Sequence, residues 1–294
     1  MNATHGFEKL RLNVNGTDTV VLALGDAAAP PLVFFHGAGT FHGWEFARPW
    51  ASDFRVLIPN HPGFAESGDM HGLREFGDFV LHYGALFDQL GLHSDVNLVG
   101  LSLGGRLAAR FAISQQHRLR RLVLIAPAGL RVDEAPMEDL FRIPPDQIVG
   151  RLVKNFDVLL PWLPTDPHDL DFAVDRYRET RTVATVAWDE PFDRVIPRWI
   201  KTMTVSTMVM WGNDDALIPV GQAAAWAALV PDSELQLFEN AGHLLLDESP
   251  AAVQAVAEFC KKQMPPSRVA DSRRATSCAR SPVCRWRRPR SRSI

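Results

Sequence analysis

"LVGLSLGGRLAARFA", residues 98–112, sets Ser102 between Gly100 and Gly104, with Gly105 directly behind, and then runs on into an alanine-rich segment. Upstream, "VNLVG" (96–100) is a short apolar run of the kind that forms a strand; downstream, "LGGRLAARFA" (103–112) reads as the start of a helix. Ser102 therefore falls on a strand-to-helix junction. One reading is that the glycines only end the strand and let the helix pack closely against it. The other is that the turn holds the Ser102 Oγ up as a nucleophile, since small neighbours permit a sharp bend and the helix N-terminus offers unpaired N–H groups and a positive dipole to a developing anion.

The surroundings of this stretch have the same strand–helix rhythm. "PLVFFH", "FRVLIP", "VNLVG" and "LRRLVLIA" are apolar without alternation, which suits strands buried on both faces, and residues 74–90 and 103–114 lie between them as helices. Before them, "KLRLNV" and "TDTVVLAL" flank Asn15-Gly16, a hairpin signal, and both are expected to be edge strands. "TMVMWG", "VGQAAAWAALV", "SELQLFE" and "SPAAVQAVAEFCKK" resume the alternation towards the end. The expectation is an α/β protein with a mostly parallel central sheet and helices on both faces. Strand signals vanish from 131 to 201, which is read as a helical insertion between a first core part (1–130) and a second (202–264).

Composition bounds the function classes. With 294 residues, 46% hydrophobic and 22% charged, the chain can bury a full core. No run approaches the roughly 18 apolar residues of a membrane span, and the opening "MNATHGFEKL" lacks the apolar core of a secretory signal, so a cytoplasmic protein without a membrane partner is expected. The net charge of −3 is uneven: residues 265–294 hold nine arginines and one aspartate, so the rest is strongly acidic. An acidic body is a poor nucleic-acid surface, and no nucleic-acid partner is expected for it. The arginine-rich tail has few core-forming residues and is expected to be disordered and dispensable for activity. Cys278 and Cys284 lie in that tail and Cys260 just before it; neither a disulfide framework nor a zinc site is implied, and no metal or other cofactor is expected.

A serine hydroxyl is a weak nucleophile at neutral pH and needs a base and an orienting acid. "VMWGNDDALIP" ends a strand and offers Asp214 and Asp215, while "FENAGHLLLDESP" ends the next and offers His243. Loops at the carboxyl ends of parallel strands are where such sheets place their sites. The order Ser, Asp, His is also one of the chain orders in which triads occur.

With "HGAGT" (36–40), "PNHPGFAESG" (59–68), "GLSLGG" (100–105), "WGNDDALIP" (211–219) and "GHLLLDESP" (242–250) in this order, the chain resembles the α/β-hydrolase superfamily, in its branch with a helical cap, over nearly all of residues 9–264. The proline-glycine loop departs from the family's pattern, with Asn60 where aspartate is common and Ala65 where glycine is common. The resemblance implies a catalytic triad of Ser102, Asp215 and His243, the acid being the fifth residue of a W-G-x-x-D pattern. It implies oxyanion donors at the backbone N–H of Leu103 and of Ala38, in a loop braced by His36.

His42, His61, His82 and His93 are expected to be ordinary surface or packed histidines, and Ser67 to cap the helix or close its loop. Arg106 could bind a carboxylate but is read as an exposed helix residue. Phe156, Leu159, Leu160, Trp162, Trp188 and Phe192 are read mainly as the insertion's own core. The activity implied is hydrolysis of esters or lactones of medium-sized, partly apolar substrates. Carbon–carbon hydrolysis of a vinylogous diketone is the alternative with the same triad, and a non-catalytic ligand-binding protein is the alternative from another class. Related dehalogenases and epoxide hydrolases carry aspartate at the elbow, which Ser102 argues against.

Overall fold

A computed structural model describes residues 6–166 and 168–263. The chain divides into two units, Met1–Lys261 and Lys262–Ile294, and the architecture below is that of the first. The arginine-rich tail lies outside the described residues.

Eight strands form one sheet: β1 (Glu8–Val14), β2 (Thr17–Leu24), β3 (Pro31–Phe35), β4 (Arg55–Pro59), β5 (Val96–Leu101), β6 (Leu119–Ile125), β7 (Thr207–Gly212) and β8 (Glu234–Phe238), in the order β1-β2-β4-β3-β5-β6-β7-β8. β1 and β2 pair antiparallel through the Asn15-Gly16 turn, whose two residues both have positive φ, and β2 pairs antiparallel with β4. All later pairings are parallel. Of the two expected edge strands, only β1 is one. β2 is covered on its second side by β4, which accounts for its long buried stretch from Thr19 to Ala23.

The non-alternating strands are buried on both faces, and their side chains divide by parity into two cores. Val33, Phe35, Leu98, Leu122, Leu124 and Trp211 pack with Phe79, Tyr83, Leu86, Leu107 and Phe111 from helices α1 (Phe76–Gln89) and α2 (Leu103–Gln115). Leu32, Phe34, Val99, Val123, Ile125 and Met210 pack on the opposite face with Trp50, Val253, Val256 and Phe259, the last three from α8 (Pro250–Lys261). Covering both faces is what lets an apolar run replace alternation.

Between β6 and β7 the chain is helical: α3 (Pro145–Leu152), α4 (Leu170–Ala187), α5 (Ile196–Trp199) and short 3-10 turns. Here the apolar side chains depart from expectation. Leu159 is fully buried, but Phe156, Leu160, Trp188 and Phe192 are exposed. Apart from α4 the segment's elements are short, and α4 buries only the face carrying Glu179, Thr182, Val183 and Val186. The remaining helices are α6 (Gly221–Leu229) and α7 (Leu245–Glu248). Among the described residues no helix is long and apolar enough to cross a membrane.

Candidate active site

Ser102 follows β5 directly and precedes α2, with φ 56° and ψ −116°, a conformation that costs energy for any residue with a Cβ. The surrounding backbone enforces it. Its N–H donates to the Ile125 carbonyl at 2.9 Å, and its own carbonyl accepts from the N–H groups of Arg106 and Ala128, both at 3.0 Å. The glycines of the opening stretch are required by space. A Cβ on Gly104 would lie 2.0 Å from the Phe35 carbonyl oxygen, and one on Gly100 would lie 2.4 Å from that of Gly104. The close packing of the glycines and the positive φ of Ser102 belong to one geometry. Leu103 is the first residue of α2, so its N–H has no partner within the helix.

At the ends of β7 and β8 the acid and the histidine meet. His243 Nδ1 lies 2.8 Å from Asp215 Oδ2, with both side chains almost fully buried. The other carboxylate oxygen, Oδ1, accepts the N–H groups of Leu217 at 2.9 Å and Ile218 at 2.8 Å. A carboxylate oxygen facing a ring nitrogen accepts, so Nδ1 carries a hydrogen and Nε2 is the ring nitrogen the carboxylate leaves unengaged. Asp214 turns the other way, to Lys154 Nζ at 3.0 Å on the surface. The two loops interlock because Asp214 N–H donates to Ala241 and because Gly212 has no Cβ, which would lie 2.3 Å from the Ala241 carbonyl oxygen. Among the described residues the Ser102 hydroxyl is not hydrogen-bonded to the imidazole.

The "HGAGT" loop lies beside the elbow: a Cβ built on Gly37 would stand 3.5 Å from Ser102 Cβ. Ala38 is half-buried, and His36 Nδ1 lies 2.8 Å from the Gly37 carbonyl oxygen. Ser67 closes its loop, donating to the Asn60 carbonyl at 2.8 Å and accepting the Val20 N–H at 3.0 Å. His42, His61 and His82 are packed, and His93 is on the surface.

Arg106 is not exposed. It is 2% accessible, stacks over the Phe76 ring at 3.6 Å and donates through Nε to Asp193 Oδ2 at 2.8 Å, where Arg110 Nε also donates at 2.6 Å. The cause is the helical insertion, whose Glu190 and Pro191 carbonyls also accept from Arg106. Burial pushes the Asp193 carboxyl up, but Arg106 and Arg110 together hold it below the ordinary carboxylate value.

Sequence reasoning also missed Glu248. Its two oxygens accept the N–H groups of Gly242 and Asn155, both at 2.6 Å, tying the histidine loop to the insertion. Glu179, on α4, is a further missed group. It accepts from the Thr40 hydroxyl and pairs with Arg176 at 2.8 Å, while burial raises its carboxyl. Neither is legible locally, because Thr40 and Asn155, the partners that give these carboxylates their tertiary roles, lie 139 and 93 residues away.

The chain is similar to several known proteins. The carboxylesterase YbfK of Bacillus subtilis is 28% identical over 261 residues, 82% of this chain and 83% of that protein. The 2-hydroxy-6-oxo-2,4-heptadienoate hydrolase of Pseudomonas putida is 27% identical over 257 residues, 79% of this chain and 89% of the relative. Among solved structures, the naproxen esterase of Bacillus subtilis superposes with a TM-score of 0.67 at 21% identity, over 86% of this chain and 91% of its own, which is a likeness of fold. The model of the alpha/beta hydrolase family matches residues 32–256, from β3 into α8 and across all three strand ends described above, and the chain belongs to that family.

Proposed function

We propose that the protein is a serine-dependent hydrolase working through an acyl-enzyme on carboxylic esters or lactones of medium-sized, partly apolar substrates. The observation that carries this reading is the buried Asp215–His243 pair, in which the carboxylate engages Nδ1 and not Nε2, at the same sheet edge as the strained Ser102. In the proposed reaction His243 Nε2 takes the Ser102 proton as Oγ attacks the carbonyl carbon, and Asp215 stabilises the imidazolium that results. The N–H groups of Leu103 and Ala38 receive the oxyanion; losing one such donor costs about 3 kcal/mol in other enzymes. The imidazolium then protonates the leaving alcohol, and water repeats the attack on the acyl-enzyme. The segment between β6 and β7 serves as a cap over the strand ends, and its exposed apolar side chains favour partly apolar acyl groups.

A second reading, hydrolysis of a carbon–carbon bond in a vinylogous diketone, is favoured by the dienoate hydrolase among the relatives. Purified protein assayed on short p-nitrophenyl esters, lactones and a vinylogous diketone separates the two. Turnover of esters or lactones that disappears in Ser102→Ala and His243→Ala supports the first reading. Turnover of the diketone alone supports the second, and specific binding without turnover would make the protein a ligand binder on a hydrolase scaffold.

A further inference from the structure

Two histidines outside the proposed triad, His36 and His61, are completely buried, with ring centroids 3.7 Å apart. Their partners fix where their protons sit. His36 Nδ1 faces the Gly37 carbonyl oxygen at 2.8 Å, and a carbonyl only accepts, so Nδ1 carries the hydrogen. His36 Nε2 faces the backbone N–H of His61 at 3.0 Å, which only donates, so Nε2 carries a lone pair. His61 is protonated at the opposite nitrogen. Its Nε2 donates to the His36 carbonyl oxygen at 2.8 Å, and its Nδ1 accepts from the buried Tyr83 hydroxyl. Burial, then the neighbouring His61, holds His36 well below its ordinary value, and burial takes His61 down to about 3, so both rings are neutral at neutral pH.

The consequence falls on the backbone. In a trans peptide the C=O and the following N–H point in opposite directions, so whatever grips the carbonyl also aims the amide. The His61 ring grips the His36 carbonyl and thereby aims the Gly37 N–H. The His36 ring grips the Gly37 carbonyl and thereby aims the Ala38 N–H away from the imidazole. Gly37 and Gly39 flank this segment, and glycine leaves such a peptide free to turn over unless something holds it. An oxyanion donor works only if it is already oriented before charge develops.

We propose that His61 and Tyr83 are positioning residues for the oxyanion loop: the Tyr83 hydroxyl selects the His61 tautomer that holds the His36 peptide, and His36 in turn holds the Gly37–Ala38 peptide with its N–H presented. This rests on the reading that Ala38 N–H receives the oxyanion. Neither residue touches substrate. The role belongs to the tautomers, so a side chain of similar bulk without the right hydrogen at the right place does not fill it.

The test uses the full chain. In 15N-histidine NMR of the wild type, His36 shows the neutral Nδ1–H form and His61 the neutral Nε2–H form; the reverse tautomers, or an imidazolium at neutral pH, overturn the proposal without any variant. Tyr83→Phe removes only the hydroxyl. It shifts His61 towards a tautomer mixture, lowers kcat on a p-nitrophenyl ester about 10-fold or more with KM little changed, and weakens a boronic acid transition-state analogue by a similar factor. A full donor loss, about 10²- to 10³-fold, is the upper bound. His36→Asn, whose amide places an N–H near the former Nδ1, recovers much of the activity that His36→Ala loses. Wild-type kcat and analogue affinity in Tyr83→Phe, or equal losses in His36→Asn and His36→Ala, overturn the proposal. Ser102→Ala in the same series separates the two levels: if it is inactive while the Tyr83 and His36 variants behave like wild type, only the positioning role fails, whereas an active Ser102→Ala removes the serine-hydrolase reading itself.

Discussion

Asp215 grips His243 with one oxygen and the chain with the other: Oδ2 lies 2.8 Å from Nδ1, while Oδ1 accepts two backbone N–H groups. The carboxylate is thus fixed in position before it fixes the imidazole. Asp215→Asn turns the acceptor facing Nδ1 into a group that can donate, which favours the wrong histidine tautomer. The expected fall in kcat is about 10⁴-fold, as in the serine protease triad. Asp214→Asn, whose partners among the described residues are the exposed Lys154 and the Ala241 carbonyl, is expected to change kcat less than about 3-fold, in keeping with the small value of surface ion pairs. Steady-state assays of both variants check the assignment, and the reverse pattern would move the acid by one position.

Gly212 governs the distance between the acid loop and the histidine loop. An alanine there would put its Cβ 2.3 Å from the Ala241 carbonyl oxygen and 2.5 Å from that of Gly242, next to His243. The histidine loop must yield, and a displacement near 1 Å costs on the order of 10²-fold in rate. Gly212→Ala is expected to lose kcat on that scale while keeping wild-type circular dichroism; full activity would show that the loops do not need this contact.

The buried Arg106–Asp193–Arg110 cluster joins α2 to the insertion. Asp193→Ala strands two buried guanidinium groups and is expected to cost about 3–5 kcal/mol in urea unfolding at pH 7. Asp193 sits below the ordinary carboxylate value in the fold, so its contribution is complete above that value and is lost as pH falls through its folded-state pKa. The stability gap between wild type and variant should therefore narrow in acid. A gap that stays constant with pH would contradict the pairing.

Ser102 holds a positive φ that glycine tolerates better. Ser102→Gly and Ser102→Ala should both be inactive, but the glycine variant should be the more stable by on the order of 1 kcal/mol, reversing the order seen at unstrained positions. Denaturant midpoints decide it. An alanine variant of greater stability would mean that the elbow stores no strain.

What could be read in the sequence is what local pattern encodes. The apolar runs of β3 to β7 are continuous because both sheet faces are covered, and Gly100, Gly104 and Gly105 mark the elbow because no Cβ fits there. Asp215 and His243 were legible as strand-end residues in the right order. Arg106 misleads because its partner Asp193 lies 87 residues away, and a helix pattern does not reveal which side an insertion will cover. His61 looked ordinary for the same reason: His36 and Tyr83 are 25 and 22 residues distant and meet it only once β3, β4 and α1 are packed. Phe156, Leu160, Trp188 and Phe192 were misread, whereas Leu159 is buried as expected, because hydrophobicity alone does not say which side of an element will be covered.

The most direct measurement of the central claim is peptide mapping by mass spectrometry after treatment with a fluorophosphonate, which phosphonylates serines activated by a neighbouring base. A single adduct on Ser102 is expected, formed slowly or not at all in His243→Ala and Asp215→Asn. An adduct on another residue, or labelling of Ser102 that is indifferent to His243, would contradict it.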